Sequence, residues 1–159
     1  MQTILRTIEF LSLSIWLGAD LFLSFVVAPG AFAILGNRDA AGMMVGYSLA
    51  RLHFAGILLG FFFLVARLAR TRDFTSFTTA AALCIALMVA LTAASQFTVS
   101  NRMERLKKQM VSLQNTPETD PRRVEFKRLH AISVAYESAV LLLGLVGMFS
   151  LVREVKARA

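Results

Sequence analysis

The chain has 159 residues, 57% hydrophobic and 17% charged, with a mean hydropathy of +0.64. Soluble domains carry about 45–50% apolar and about 25% charged residues, so a water-soluble globule is excluded and the apolar excess must face lipid. A formal net charge of +7 would suggest nucleic acid in a soluble chain, but here basic residues flank apolar runs, where they anchor helices against head groups, and no nucleic-acid partner is expected. Cys84 is the one cysteine, which excludes an intramolecular disulfide and any cysteine-cluster zinc site.

The first apolar run, Phe10 to Leu35, holds a single charge, Asp20, and predicts a helix over about 8–35. It exceeds the ~20 residues that cross about 30 Å of hydrocarbon. Its Ala31-Phe32-Ala33 mimics a signal cleavage site, yet a signal core is only about 7–15 residues long, so no cleaved signal peptide is expected. Pro29 should kink or end this helix, because proline removes a backbone donor and crowds the preceding turn.

The second helix is read over about 40–68, with Arg51 and His53 inside it, because the uncharged stretch between Arg51 and Arg67 is too short to span alone. Gly42, Gly46, Gly56 and Gly60 allow a neighbouring helix to approach closely. The third runs over about 74–114, and its Met103, Leu106, Met110 and Leu113 recur at heptad spacing beyond the apolar part. Asp120 as N-cap and Pro121 at the first position start the fourth, over about 121–156, where Glu137 interrupts the apolar run. Short polar links make sequential helices antiparallel. The reading is therefore an all-α integral membrane four-helix bundle, up-down-up-down, one transmembrane domain over 1–159, with a helical hairpin extension between helices 3 and 4. Its medium is a lipid bilayer, as a multi-pass protein of the cell membrane.

Orientation is not fixed by charge. Seven basic residues (Arg6, Arg67, Arg70, Arg72, Arg153, Lys156 and Arg158) flank the side of the termini, against ten on the other, Arg51 among them. Apart from Arg51, which lies inside helix 2, they are read as helix anchors or as part of the polar segment 102–128, which is either a solvated hairpin or a contact surface for other subunits of a membrane complex.

An ionisable group near the bilayer centre costs about 2.5–3.5 kcal/mol on insertion scales, so Asp20, Arg51, His53 and Glu137 need a reason to be there. Asp20 lies 14 residues from Arg6, His53 lies 14 from Arg67, and Glu137 lies 16 from Arg153. At 1.5 Å per residue that puts all three roughly 21–24 Å from the terminal side, with Arg51 about 3 Å further along. One plane thus holds acid, base and acid. It reads either as an internal salt-bridge network, with Arg51 as charge partner, or as a proton or divalent-metal site formed by Asp20, His53 and Glu137.

The repeated Arg51-Leu52-His53 and Arg128-Leu129-His130 offers a second reading, with His53 and His130 as cofactor-binding axial ligands of a b-type haem. An axial offset of about 14 Å, or about 6 Å if helix 2 ends at Arg72, disfavours it. No nucleophile elbow, P-loop, HExxH or dinucleotide signature is present, so no catalytic residues are assigned, and an enzyme would have to use the buried polar plane.

Ile15-Trp16-Leu17-Gly18, Phe25-Val26-Val27-Ala28-Pro29 with Phe32, Ala41-Gly42, Arg51-Leu52-His53 and Phe126-Lys127-Arg128-Leu129-His130 together resemble the transmembrane protein 205-like family. The resemblance implies a small four-helix membrane protein and brings no catalytic residues with it; its human namesake is linked to platinum-drug resistance. Trp16-Leu17-Gly18 also resembles copper-resistance membrane proteins of the CopD type, which implies metal handling. Asp20 departs from the small or apolar residue that this pattern would place there. The first functional expectation is a non-enzymatic packing or accessory subunit; the alternative is metal or proton handling by the buried plane.

Overall fold

A computed structural model describes residues 1–110 and 112–156; Arg158 and the part of the predicted third helix at Val111 lie outside the described residues. All regular structure among the described residues is helical, and four helices are long and apolar enough to cross a membrane: α1 (Gln2–Ile34), α2 (Arg38–Thr71), α3 (Ala80–Gln109) and α4 (Pro121–Lys156). Large side chains such as Phe25, Phe61, Leu142 and Phe149 are exposed. An outer surface this apolar is solvated by lipid. This is a multi-pass membrane protein.

Pro29 neither ends nor breaks α1. The carbonyl register widens just before it, over the π segment Leu23–Val27, with the Ala28 N–H reaching back to the Leu23 carbonyl. Pro29 then sits in the first turn of the α-helix that resumes at Ala28, where its missing N–H costs least. Gly36, at φ +59°, makes the turn, and Asn37 caps α2 by accepting from the N–H groups of Asp39 (2.8 Å) and Ala40 (3.2 Å).

α2 ends at Arg72, in the left-handed region with φ +53°. Asp73 then accepts from the Thr75 N–H at 2.9 Å and seeds a short 3-10 turn, Phe74–Thr78, so α3 begins at Ala80, later than apolarity alone predicts. α3 also stops early. Met110 is extended, and the helical extension past the apolar run is the single stretch Asn101–Gln109.

The 36 residues of α4 extend about 54 Å at 1.5 Å per residue, well beyond the hydrocarbon. Its first turns pack on the end of α3 through Leu106, Met110 and Phe126. This hairpin is tied to the start of α2: the Ser112 hydroxyl donates to Asp39 at 2.5 Å, the Leu113 N–H to Asp39 at 3.1 Å, and Lys107 Nζ to the Gly42 carbonyl at 3.1 Å.

Around the bundle α1 packs on α2, α2 on α3, α3 on α4 and α4 on α1, leaving α2 and α4 across a diagonal. Leu13, Trp16, Phe63, Ile85, Met88 and Val140 fill the interior. The glycines predicted for helix contact divide into two uses. Gly56 and Gly60 receive the Trp16 indole; a Cβ at Gly56 would lie 2.5 Å from its Cε2. Gly42 and Gly46 lie beside the Lys107 ammonium instead.

Candidate functional site

Two residues of the predicted plane, His53 and Glu137, are in hydrogen-bond contact. Near the middle of the bundle, His53 on α2 faces Gln96 on α3 and Glu137 on α4, with Nδ1 at 2.8 Å from Gln96 Oε1 and Nε2 at 2.6 Å from Glu137 Oε1. Asp20 on α1 completes the group, within electrostatic reach of both Glu137 and His53. Every helix contributes one side chain. His53 is 2% exposed and Asp20 1%, and neither Asp20 oxygen has a hydrogen-bond partner among the described residues.

Because Gln96 Oε1 can only accept, Nδ1 carries a hydrogen and donates it. The close contact on the other side of the ring then holds one proton between Nε2 and Glu137: imidazolium with carboxylate, or neutral imidazole with carboxylic acid. Two π segments flank this level, Leu23–Val27 just past Asp20 and Ser95–Ser100, which carries Gln96 itself. A widened turn rotates the following side chains relative to an unbroken helix, and such turns concentrate at functional sites. In α3 the π segment brings Ser95 and Gln96 together inside the bundle, both buried.

With this geometry in place, comparison with known proteins gives one match: the family model for a domain of unknown function (DUF4149) covers residues 11–112. The chain belongs to the DUF4149 family. No curated protein and no solved structure matches it. The stretch of this DUF4149 chain that matches includes Asp20, His53 and Gln96, while Glu137 comes from α4, beyond it.

Two expected members of the site are elsewhere. Arg51, predicted as the charge partner, is exposed and lies over the Tyr47 ring at 5.1 Å, with no ion pair among the described residues. The reason is helical phase: residues two apart on a helix point to different faces, so a buried His53 turns Arg51 outward. His130 is exposed and stacks on Phe126, with ring centroids 6.5 Å apart. It lies one heptad from Glu137, about 10 Å along α4, so the two imidazoles do not face a common haem. Among the described residues no three His, Cys, Asp or Glu side chains converge to hold a metal ion, and both nitrogens of His53 are engaged in hydrogen bonds.

A second buried polar group went unpredicted. Glu9 on α1, 0% exposed, is held by Arg70 Nε (2.5 Å) and Nη2 (3.1 Å), with Arg67 Nη1 3.7 Å away. Arg67, 1% exposed, also hydrogen-bonds Glu154 on α4. The reading of Arg67 and Arg70 as head-group anchors is thus corrected: Glu9, 58 residues before Arg67 in sequence, draws both guanidiniums inward. The hydrophobic pattern held one clue, since Glu9 stands directly before the Phe10 run, on the bundle-facing side of Leu13 and Trp16.

Proposed function

We propose that the chain is a proton-handling protein of the cell membrane, in which Asp20, His53 and Glu137 take up and release a proton inside the bundle. What carries the reading is a buried carboxylate, Asp20, with both oxygens unpartnered among the described residues, beside a His53–Glu137 pair that shares one proton. Intramembrane ionisable groups are costly and mark proton or ion pathways by default.

With His53 protonated and both carboxylates ionised, the cluster carries a net charge of −1. One further proton, taken by a carboxylate, makes it neutral. Gln96 fixes the ring by accepting from Nδ1, so exchange runs through Nε2 to Glu137 Oε1. Glu137, whose side chain keeps 16% exposure, is the member that reaches the bundle surface. Hydrogen bonds on both ring nitrogens favour the proton over a divalent metal as the species handled.

The test is proton flux into liposomes that contain the purified protein, a pH-sensitive dye and an imposed pH gradient. Wild type should dissipate the gradient, while Asp20→Asn and Glu137→Gln should slow it about tenfold or more, the scale on which removing one positioned proton carrier acts. Equal fluxes for wild type and Asp20→Asn would remove the proposal.

A second reading is the accessory subunit. Arg105 and Arg128 on the hairpin are exposed and make no ion pair among the described residues, which leaves segment 102–128 with charge to offer a partner. Purification in mild detergent decides it: co-purifying chains lost on Arg105→Glu support the reading, and a chain that purifies alone sinks it.

A further inference from the structure

Neither oxygen of Asp20 has a hydrogen-bond partner among the described residues, so nothing at the carboxylate itself holds it beside the His53–Glu137 pair. Its place follows from how α1 is seated in the bundle. Of the titratable groups, His53 acts on it from α2 and Glu137 from α4. At this level α3 brings the uncharged Gln96 and Ser95, and Arg51 of α2 is turned outward.

Two neighbouring residues seat α1. Trp16 enters α2 at a notch where that helix carries no side chains: a Cβ at Gly56 would lie 2.5 Å from both Cε2 and Nε1 of the indole, and one at Gly60 would lie 3.0 Å from Cζ3. Leu17 enters α4 in the same way, since a Cβ at Gly144 would lie 2.9 Å from its Cδ1. Small residues let helices approach this closely.

The helices that receive these side chains are the two that carry the other members of the site. Gly56 is three residues from His53 on α2, Gly144 seven from Glu137 on α4, and Asp20 four from Trp16 and three from Leu17 on α1. These steps are about 4.5, 10.5, 6 and 4.5 Å along the helix axes. Each is unbroken α-helix: the π segment of α1 begins only at Leu23, and α2 and α4 are α-helical over Arg38–Thr71 and Pro121–Lys156. Rigid elements of this kind carry a displacement at one point to the next turn.

We propose that Trp16 and Leu17 are positioning residues of the proton site: seated at Gly56, Gly60 and Gly144, they set the height and rotation of α1, and so the approach of Asp20 to Glu137 and His53. This rests on the proton-handling reading and adds that packing one turn away tunes the affinity of Asp20 for its proton. Interaction between ionisable groups depends on their separation, so a displacement of α1 changes the pH at which Asp20 is protonated. A side chain that serves the core alone would cost stability and leave that pH where it is.

Infrared difference spectroscopy tests this on the purified full chain in phosphatidylcholine liposomes, stepped in pH, with the carboxylic-acid band of Asp20 identified by its loss in Asp20→Asn. Trp16→Leu, which leaves the notch unfilled, and Gly56→Ala, which displaces the indole, should each move the midpoint of that band by about one pH unit, a tenfold change in proton affinity. Adding Trp16→Phe to Gly56→Ala makes room for the new Cβ and should return the midpoint towards wild type. Gly144→Ala repeats the test from α4 should Gly56→Ala fail to fold. Leu151→Ala is the control, since it opens the same core 14 residues, about 21 Å, from Glu137 along α4, and should lower stability without moving the midpoint. An unmoved midpoint in Trp16→Leu and in the glycine variant, or an equal shift in Leu151→Ala, overturns the positioning role and leaves the proton site standing. If Asp20→Asn removes no band, Asp20 exchanges no proton, and the proton-handling reading falls together with this one.

Discussion

The Glu9–Arg67–Arg70–Glu154 network and the Asp20–His53–Gln96–Glu137 cluster both bridge the α2–α4 diagonal, about 21 Å apart along α2, yet they are chemically opposite. The network relies on guanidiniums, which stay charged at any physiological pH, against carboxylates that are also charged. It is a strap. The cluster has no guanidinium, and every charge in it depends on where a proton sits. Between them lies an apolar layer containing Trp16, Phe63, Ile85 and Met88. Helices that do not pack directly can thus be joined by fixed charge at one level and by movable charge at another.

The comparison breaks first at Glu9. Glu9→Ala leaves Arg67 and Arg70 buried without their shared carboxylate and should cost about 3–5 kcal/mol, measured as resistance to unfolding when denaturing detergent is titrated into mild detergent. Next comes the layer between. Gly56→Ala sets a Cβ against the Trp16 ring and should cost about 1–3 kcal/mol in the same titration, with loss of Trp16 fluorescence order as its sign.

Asp20→Asn should stay within about 1 kcal/mol of wild type, because it removes no hydrogen bond present among the described residues. A loss as large as that of Glu9→Ala would erase the distinction between strap and proton site.

The smallest effect lies in the exposed hairpin. The Arg122 side chain, aided by its backbone N–H, draws Asp120 from an ordinary 3.8 down to about 2. A lowered carboxylate pKa gives stability that is complete above the unfolded value and is lost as pH falls through the folded one. The first turn of α4 should therefore fray between pH 3.8 and about 2, read by hydrogen exchange at Arg122 and Val124. Solvent screening keeps the change local and small.

Much of this was legible in the residues. Four spans follow from runs of apolar sequence long enough for a bilayer, and the common depth of Asp20, His53 and Glu137 follows from a fixed rise per residue. The fourth member, Gln96, left only a faint signal, as the one amide in the apolar part of α3. Depth alone places Arg51 beside the cluster, but helical phase turns it to the opposite face from His53. Sequence alone does not separate Arg67 and Arg70 from head-group anchors, because an arginine that ends a span looks the same whether it points to head groups or to a glutamate on another helix.

The sequence by itself determined the solvent, the number of helices and the depth of each buried charge, because hydropathy and helical rise are local properties of a chain. Only the tertiary structure decided which charges meet. Pairing of His53 with Glu137 and of Glu9 with Arg67 and Arg70 depends on how each helix is rotated about its axis. That rotation is set by packing of Trp16 against Gly56 and Gly60 and by two π segments, and none of these is fixed within a single span.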